Sequence, residues 1–222
     1  MLFLDFETNI AGHYYLAGIS SGSDVKQVIL DERLKGLATH HKMDITTPFS
    51  FTYDLLKQSQ EEKRLIVGYS TAEKNYINAL MSNEIHNFKS VEYLNIRKAA
   101  VKWVNKYQRD KFEKLPPLVI TARDYEQRRH KKSLASIARL INYPAPKDYA
   151  IGKTTKRINE VIAALELRKQ DYKLLTSVQK AKATRALKHN YFDVEAMVLL
   201  CNRIKEDDNR LLTTSITPLF DI

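Results

Sequence analysis

Over the first 31 residues apolar positions come in short runs or alternate with polar ones; further on they recur every three to four residues. The first pattern is that of strands and the second that of amphipathic helices, so the chain reads as a strand-rich opening followed by an α-rich half. Leu2 to Phe6 is a short apolar run, His13 to Ile19 is dense in aromatic and β-branched residues, and Val25 to Leu30 alternates. These three segments predict three strands, the last two joined as a hairpin through the turn-forming Ser20 to Asp24. Thr46 or Thr47 supplies a cap before Pro48, and Phe51, Leu55 and Leu56 mark the apolar face of a helix reaching about Glu62. Arg64 to Tyr69 (RLIVGY) predicts a short buried strand, and Ser70 or Thr71 caps a helix running to about Met81. From Glu92 onward the pattern is mostly helical, punctuated by Pro116, Pro117, Pro144 and Pro146, which lack the amide proton a helix interior needs. Ser133 caps SLASIARLI, Thr154 or Thr155 precedes KRINEVIAALELRK, and Thr176 opens a segment from about Val178 to Lys205 with a break expected near His189. No repeat or flexible linker divides the chain. The expectation is one α/β domain over residues 1–210, with helices covering the sheet, and a tail over 211–222.

Composition narrows the class. Hydrophobic residues make up 44% and charged residues 28% of the 222, an ordinary globular balance. No apolar run approaches the roughly 18 to 20 residues of a spanning helix, so no membrane partner is expected. The start, MLFLDFET, turns acidic where a signal peptide would stay apolar, which points to the cytoplasm. The one cysteine, Cys201, lies in an apolar stretch and is expected in the core. A net charge of +10 favours polyanionic partners, nucleic acid first.

The candidate chemistry is carboxylate chemistry. In a strand, residues two apart share a face, so Asp5 and Glu7 point the same way from a strand otherwise made of Leu2, Phe3, Leu4 and Phe6. A cation between them would relieve their repulsion; the other reading is a strand end facing solvent. Asp193 lies in KHNYFDVEAMVLL one helical turn before Met197, so it is expected on the face that packs on the sheet. His189, four residues earlier, can share that face. Glu73 opens the helix after RLIVGY, a favourable placement against the helix dipole and also where functional groups gather in an open sheet.

Together FLDFET, LIVGYSTAE and HNYFDVEAM resemble, in that order, the three motifs of the DEDD 3′-to-5′ exonucleases, and SLASIARLI resembles the helix connecting the second and third. The resemblance spans residues 2 to about 200. It implies a ribonuclease-H-like fold, a mixed sheet of about five strands with the first three antiparallel and helices on both faces. It also implies two Mg²⁺ or Mn²⁺ ions about 4 Å apart, held by Asp5, Glu7, Glu73 and Asp193, with His189 as general base. Two features depart from the family: its second acid is usually Asp where this chain has Glu73, and His189 stands at the spacing usual for the Tyr variety, which leaves its role open.

Substrate contacts are expected from Arg128, Arg129, Lys131, Lys132, Lys153, Lys156 and Arg157, and from Lys180, Lys182, Arg185 and Lys188, with Tyr125, Tyr143 and Tyr149 as nearby aromatics. The partner expected is DNA or RNA, as a single strand or 3′ end. Leu219 and Phe220 in the tail SITPLFDI resemble the Leu-Phe peptides that dock on bacterial sliding clamps; the alternative is a tail packed on the domain. Three functions compete: a 3′-to-5′ exonuclease, a ribonuclease-H-like endonuclease, and a catalytically weak nucleic-acid-binding or scaffold protein.

Overall fold

The computed structural model describes residues 1–9, 11–116, 132–149 and 153–220. The three opening strands form where the apolar pattern places them: β1 (Leu2–Thr8), β2 (Tyr14–Ser20) and β3 (Val25–Ile29), antiparallel in sequence. Four shorter strands extend them: β4 (Asp44–Ile45), β5 (Ile66–Gly68), β6 (Glu92–Asn95) and β7 (Ile216–Pro218). The sheet is mixed, in the order β4-β3-β2-β1-β5-β6-β7, with β1, β5 and β6 parallel and β7 antiparallel at the far edge.

Among the described residues the helices are α1 (Lys35–His41), α2 (Pro48–Glu61), α3 (Ala72–Leu80), α4 (Ile96–Trp103), α5 (Arg109–Lys114), α6 (Leu134–Ala138), α7 (Thr154–Glu166), α8 (Ser177–Asp208) and α9 (Arg210–Thr213). Thr47, Ser133 and Thr176 cap α2, α6 and α8 through their side chains, the last in a reciprocal capping box with Gln179. Helices cover both faces of the sheet. Leu2, Leu4, Phe6, Ile66 and Tyr93 pack against α2 and α3, while Phe3, Val67 and Leu94 pack against α4, α6 and α8. A third cluster joins Tyr15, Leu16 and Ile29 to α1, α7 and the first turns of α8. Cys201 lies in the core, as expected, and so does Trp103.

Four expectations need correction. The sheet has seven strands, not about five: Glu92–Asn95 pairs as a strand where the helical pattern is expected to begin, and two to four residues hold too few positions for a period to show. The α1 segment falls where no element was expected. The break near His189 is absent; α8 is one helix of 32 residues, because His189 and Asn190 turn inward as buried polar side chains and so interrupt the apolar pattern without interrupting the backbone. Residues 211–220 of the expected tail are part of the fold: they contribute to α9 and β7, and Leu219 and Phe220 are buried with the α2–α3 side of the sheet, the Leu219 amide donating to the Val91 carbonyl at 3.0 Å. The tail packed on the domain is therefore the arrangement found.

Candidate metal centre

Alternation along β1 sends Leu2, Leu4 and Phe6 to the α2–α3 face and Phe3, Asp5 and Glu7 to the face crossed by α8. Close approach of that helix depends on Gly18, which pairs with Asp5 across β1 and β2 and with Gln27 across β2 and β3. A β-carbon at Gly18 would lie 2.5 Å from Asn190 Oδ1 and 2.8 Å from Val194 Cγ2. Through that opening Asn190 reaches the strand: its amide nitrogen donates to Asp5 Oδ2 at 2.8 Å, and its oxygen accepts from Gln27 Nε2 at 2.9 Å. One register row, Asp5–Gly18–Gln27, thus fixes both the height of α8 over the sheet and the orientation of the Asp5 carboxylate.

One turn of α8 then delivers His189 and Asp193. Ligand atoms of Glu7, His189 and Asp193 all lie within 4.8 Å of one another, and this group could hold a metal ion. His189 Nε2 is 3.3 Å from Asp193 Oδ2 and 3.9 Å from Glu7 Oε1. Glu7 Oε1 and His189 Nδ1 are buried without a hydrogen-bond partner among the described residues. Orphaned buried polar atoms are costly, and a cation bound by the carboxylates would satisfy the first of them. The donor set, two carboxylates and an imidazole with more carboxylates near, suits a hard or borderline divalent ion.

Electrostatics tie in the remaining acids. Burial, then the charge of Glu73, push Asp5 up to about 7, against the Asn190 hydrogen bond. Glu7 is raised well above the ordinary carboxylate range by burial and by Asp5 and Asp193. Asp193 is raised similarly by burial and Asp5, partly offset by the Tyr149 hydroxyl, which donates to its Oδ1 at 2.8 Å. Burial raises Glu73 as well. Its Oε2 accepts from the Ser70 amide at 3.2 Å and the Tyr93 hydroxyl at 3.3 Å, an arrangement that needs the missing side chain of Gly68. Glu73 therefore sits close enough to act on Asp5, but it is already satisfied by local donors and is not part of the three-residue group. Burial and the charge of Arg157 lower His189 to about 4, so the imidazole is neutral near pH 7, free to accept a proton or a metal.

The cationic residues divide. Arg128, Arg129, Lys131 and Tyr125 lie outside the described residues. Lys132 is engaged by Asn105 through its ammonium, and its carbonyl accepts from the Tyr69 hydroxyl. Lys153 and Lys156 are exposed at the start of α7, where Lys156 borders a cleft of about 740 Å³ that also includes Thr8 and Tyr76. Arg157 is half-buried; it donates to the Asp148 carbonyl at 3.0 Å, and its other terminal nitrogen is buried without a partner. Among the expected aromatics, Tyr143 lies flat on Phe192, so it serves the core, whereas Tyr149 stacks on His189 with centroids 4.1 Å apart. Asn190, Gln27 and Gly18 were missed from sequence. The only signal for Asn190 was a second polar residue following His189 on an inward-facing stretch. No family model, curated protein or solved structure matches this chain.

Proposed function

We propose that this protein is a metal-dependent nuclease of the DEDD 3′-to-5′ exonuclease type, acting on single-stranded DNA or RNA. The observation that carries this reading is the meeting of Glu7 on β1 with His189 and Asp193 on α8, beside the buried acids Asp5 and Glu73, on a protein of net charge +10. Four acids raised by burial, with Asp5, Glu7 and Asp193 raised further by neighbouring carboxylates, are an unstable arrangement without a cation and a serviceable one with it. The central strands β3-β2-β1-β5-β6, two antiparallel steps followed by two parallel ones, support a ribonuclease-H-like fold for the domain.

In this reading Glu7 and Asp193 would hold Mg²⁺ or Mn²⁺ together with Asp5, whose carboxylate Asn190 fixes in place. The bound ions would activate water and offset charge on the phosphoryl oxygens. His189, kept neutral by burial and Arg157, accepts the proton of the attacking water or completes the ligand set; its placement within the three-residue group suits both. Tyr149 holds the Asp193 carboxylate and the His189 ring in one geometry. Glu73 shapes the field at Asp5 from the side of β5.

Incubation of 5′- and 3′-labelled single-stranded and duplex DNA and RNA with Mn²⁺ tests this directly. A ladder shortening from the 3′ end is expected, and internal cuts would transfer the reading to an endonuclease. Hydrolysis that is absent in Mn²⁺, or unaffected by EDTA, would sink it.

A further inference from the structure

Beside the acidic centre lies a cleft of about 490 Å³ between residues 146–149 and one face of α8, and it closes on the stacked Tyr149 and His189. Its volume falls within the range of ligand sites. The wall is tied down from two directions: Arg157 of α7 binds the Asp148 carbonyl, and Arg185 of α8 binds the Asp148 carboxylate at 3.1 Å. The cleft is therefore held open by its own ion pair and hydrogen bonds. Ordering it costs a ligand little.

Its charge is opposite to that of the centre it adjoins. Arg185 is offset by Asp148, but Lys147 and Lys188, both exposed and both lining the cleft, have no ion-pair or hydrogen-bond partner among the described residues. Lys26, Lys106 and Lys182, by contrast, pair with Asp44, Asp208 and Glu160. A polyanion approaching Asp5, Glu7, Glu73 and Asp193 meets repulsion, and cations one step away are what allow it to approach. We propose that this cleft holds the single-strand phosphodiester unit next to the one at the Glu7–His189–Asp193 centre, with Lys147 and Lys188 on its phosphate. The proposal rests on the nuclease reading and adds the path by which the strand enters.

The test is binding without hydrolysis. Fluorescein-labelled single-stranded DNA and RNA of about ten nucleotides are titrated with protein in EDTA over a series of KCl concentrations. Replacing Lys147→Gln together with Lys188→Gln should weaken binding by roughly tenfold at low salt, and flatten the dependence of log K on log salt by about 0.7, the value for one neutralised phosphate of a single strand. The control, Lys57→Gln with Lys89→Gln, removes the same charge from the opposite side of the sheet and should leave the slope unchanged. Equal loss in both double variants, or none in either, would overturn the cleft. Tighter binding of one of the two nucleic acids with the slope change retained supports it and identifies the sugar. Melting curves with and without Mn²⁺ confirm that the variant folds and keeps its metal response. If the slope changes as expected but Mn²⁺ gives no hydrolysis, the cleft stands and the nuclease reading falls. If hydrolysis occurs and the slope does not change, the reverse holds.

Discussion

Strand β1 presents Leu2, Leu4 and Phe6 to one side of the sheet and Phe3, Asp5 and Glu7 to the other, and the two sides are buried on opposite terms. On the α2–α3 side, Leu2, Leu4, Ile66 and Tyr93 are almost fully enclosed, and Phe220 from the far end of the chain completes the layer. Each such side chain contributes roughly 1.5–3 kcal/mol by leaving water, and apart from the Tyr93 hydroxyl, which donates to Ser70 and Glu73, none of these side chains needs a polar partner. On the α8 side the same alternation takes carboxylates out of water, where burial and mutual repulsion raise Asp5, Glu7 and Asp193. One face of the strand stabilises the fold outright; the other is stable to the extent that protons, Asn190, Tyr149 or a cation offset its charge. A strand can thus build the core and the site at once, because its two faces are independent in sequence and only one residue out of step.

The sharpest way to break this comparison is to change adjacent residues. Asp5→Asn keeps shape and removes charge, so hydrolysis of a labelled strand and most of any Mn²⁺-induced rise in melting temperature should disappear. Without metal the variant should melt at or above the parent, because repulsion has been removed. Leu4→Ala, one position away, should do the opposite: a loss of about 2–5 kcal/mol in denaturant unfolding, with hydrolysis per folded molecule retained. An Asp5→Asn protein that melts well below the parent would show that this face is structural as well.

The pH dependence of stability sharpens the same contrast. Asp5 binds its proton more tightly folded than unfolded, so between about 4 and about 7 the metal-free protein loses stability as pH rises, and the other raised acids add to this loss. His189 works the other way: lowered from 6.5 to about 4, it adds stability as pH rises through that interval and nothing above it. Above about pH 6.5 His189 contributes no further change and the raised acids should keep lowering metal-free stability, opposed by the Met1 amine, which burial holds below its usual value. Mn²⁺, which competes with those protons, should stabilise the fold more at about pH 8 than at about pH 5.5, by up to about 2.7 kcal/mol at a hundredfold excess over Kd, read as a larger rise in melting temperature. An equal shift at both values would show that the ion binds elsewhere.

A smaller effect is expected from the residue that sets the distance between sheet and helix. Gly18→Ala puts a methyl group into contact with Asn190 and Val194, so α8 must lift or its side chains must turn, at a cost of about 1–3 kcal/mol in chemical denaturation. Because Asn190 fixes Asp5, the variant should also bind Mn²⁺ more weakly, as read by titration of its melting temperature. Gly22→Ala provides a comparison with no neighbouring atoms within 4 Å of the new methyl group, although its positive φ adds local strain. Unchanged metal affinity in Gly18→Ala would detach the Asn190 contact from the site.

The sequence by itself determined the first three strands, the helices capped by Thr47, Ser133 and Thr176, the shared face of Asp5 and Glu7 on their strand, and the one-turn spacing of His189 and Asp193. These follow from local rules, the twofold alternation of a strand, the 3.6-residue turn of a helix and the hydrogen bonds of a cap, all of which act within a few residues. Only the tertiary structure decided the rest. Strands β4, β6 and β7 are too short to carry a period and exist because sheet edges offered them hydrogen bonds, and residues 216–220 joined the fold for the same reason. Asn190 bonding to Asp5 across 185 positions, Gln27 behind it, Gly18 beneath it and Tyr149 stacked on His189 depend on how closely α8 approaches the sheet. That separation is set by packing between segments far apart in the chain, which no local pattern encodes.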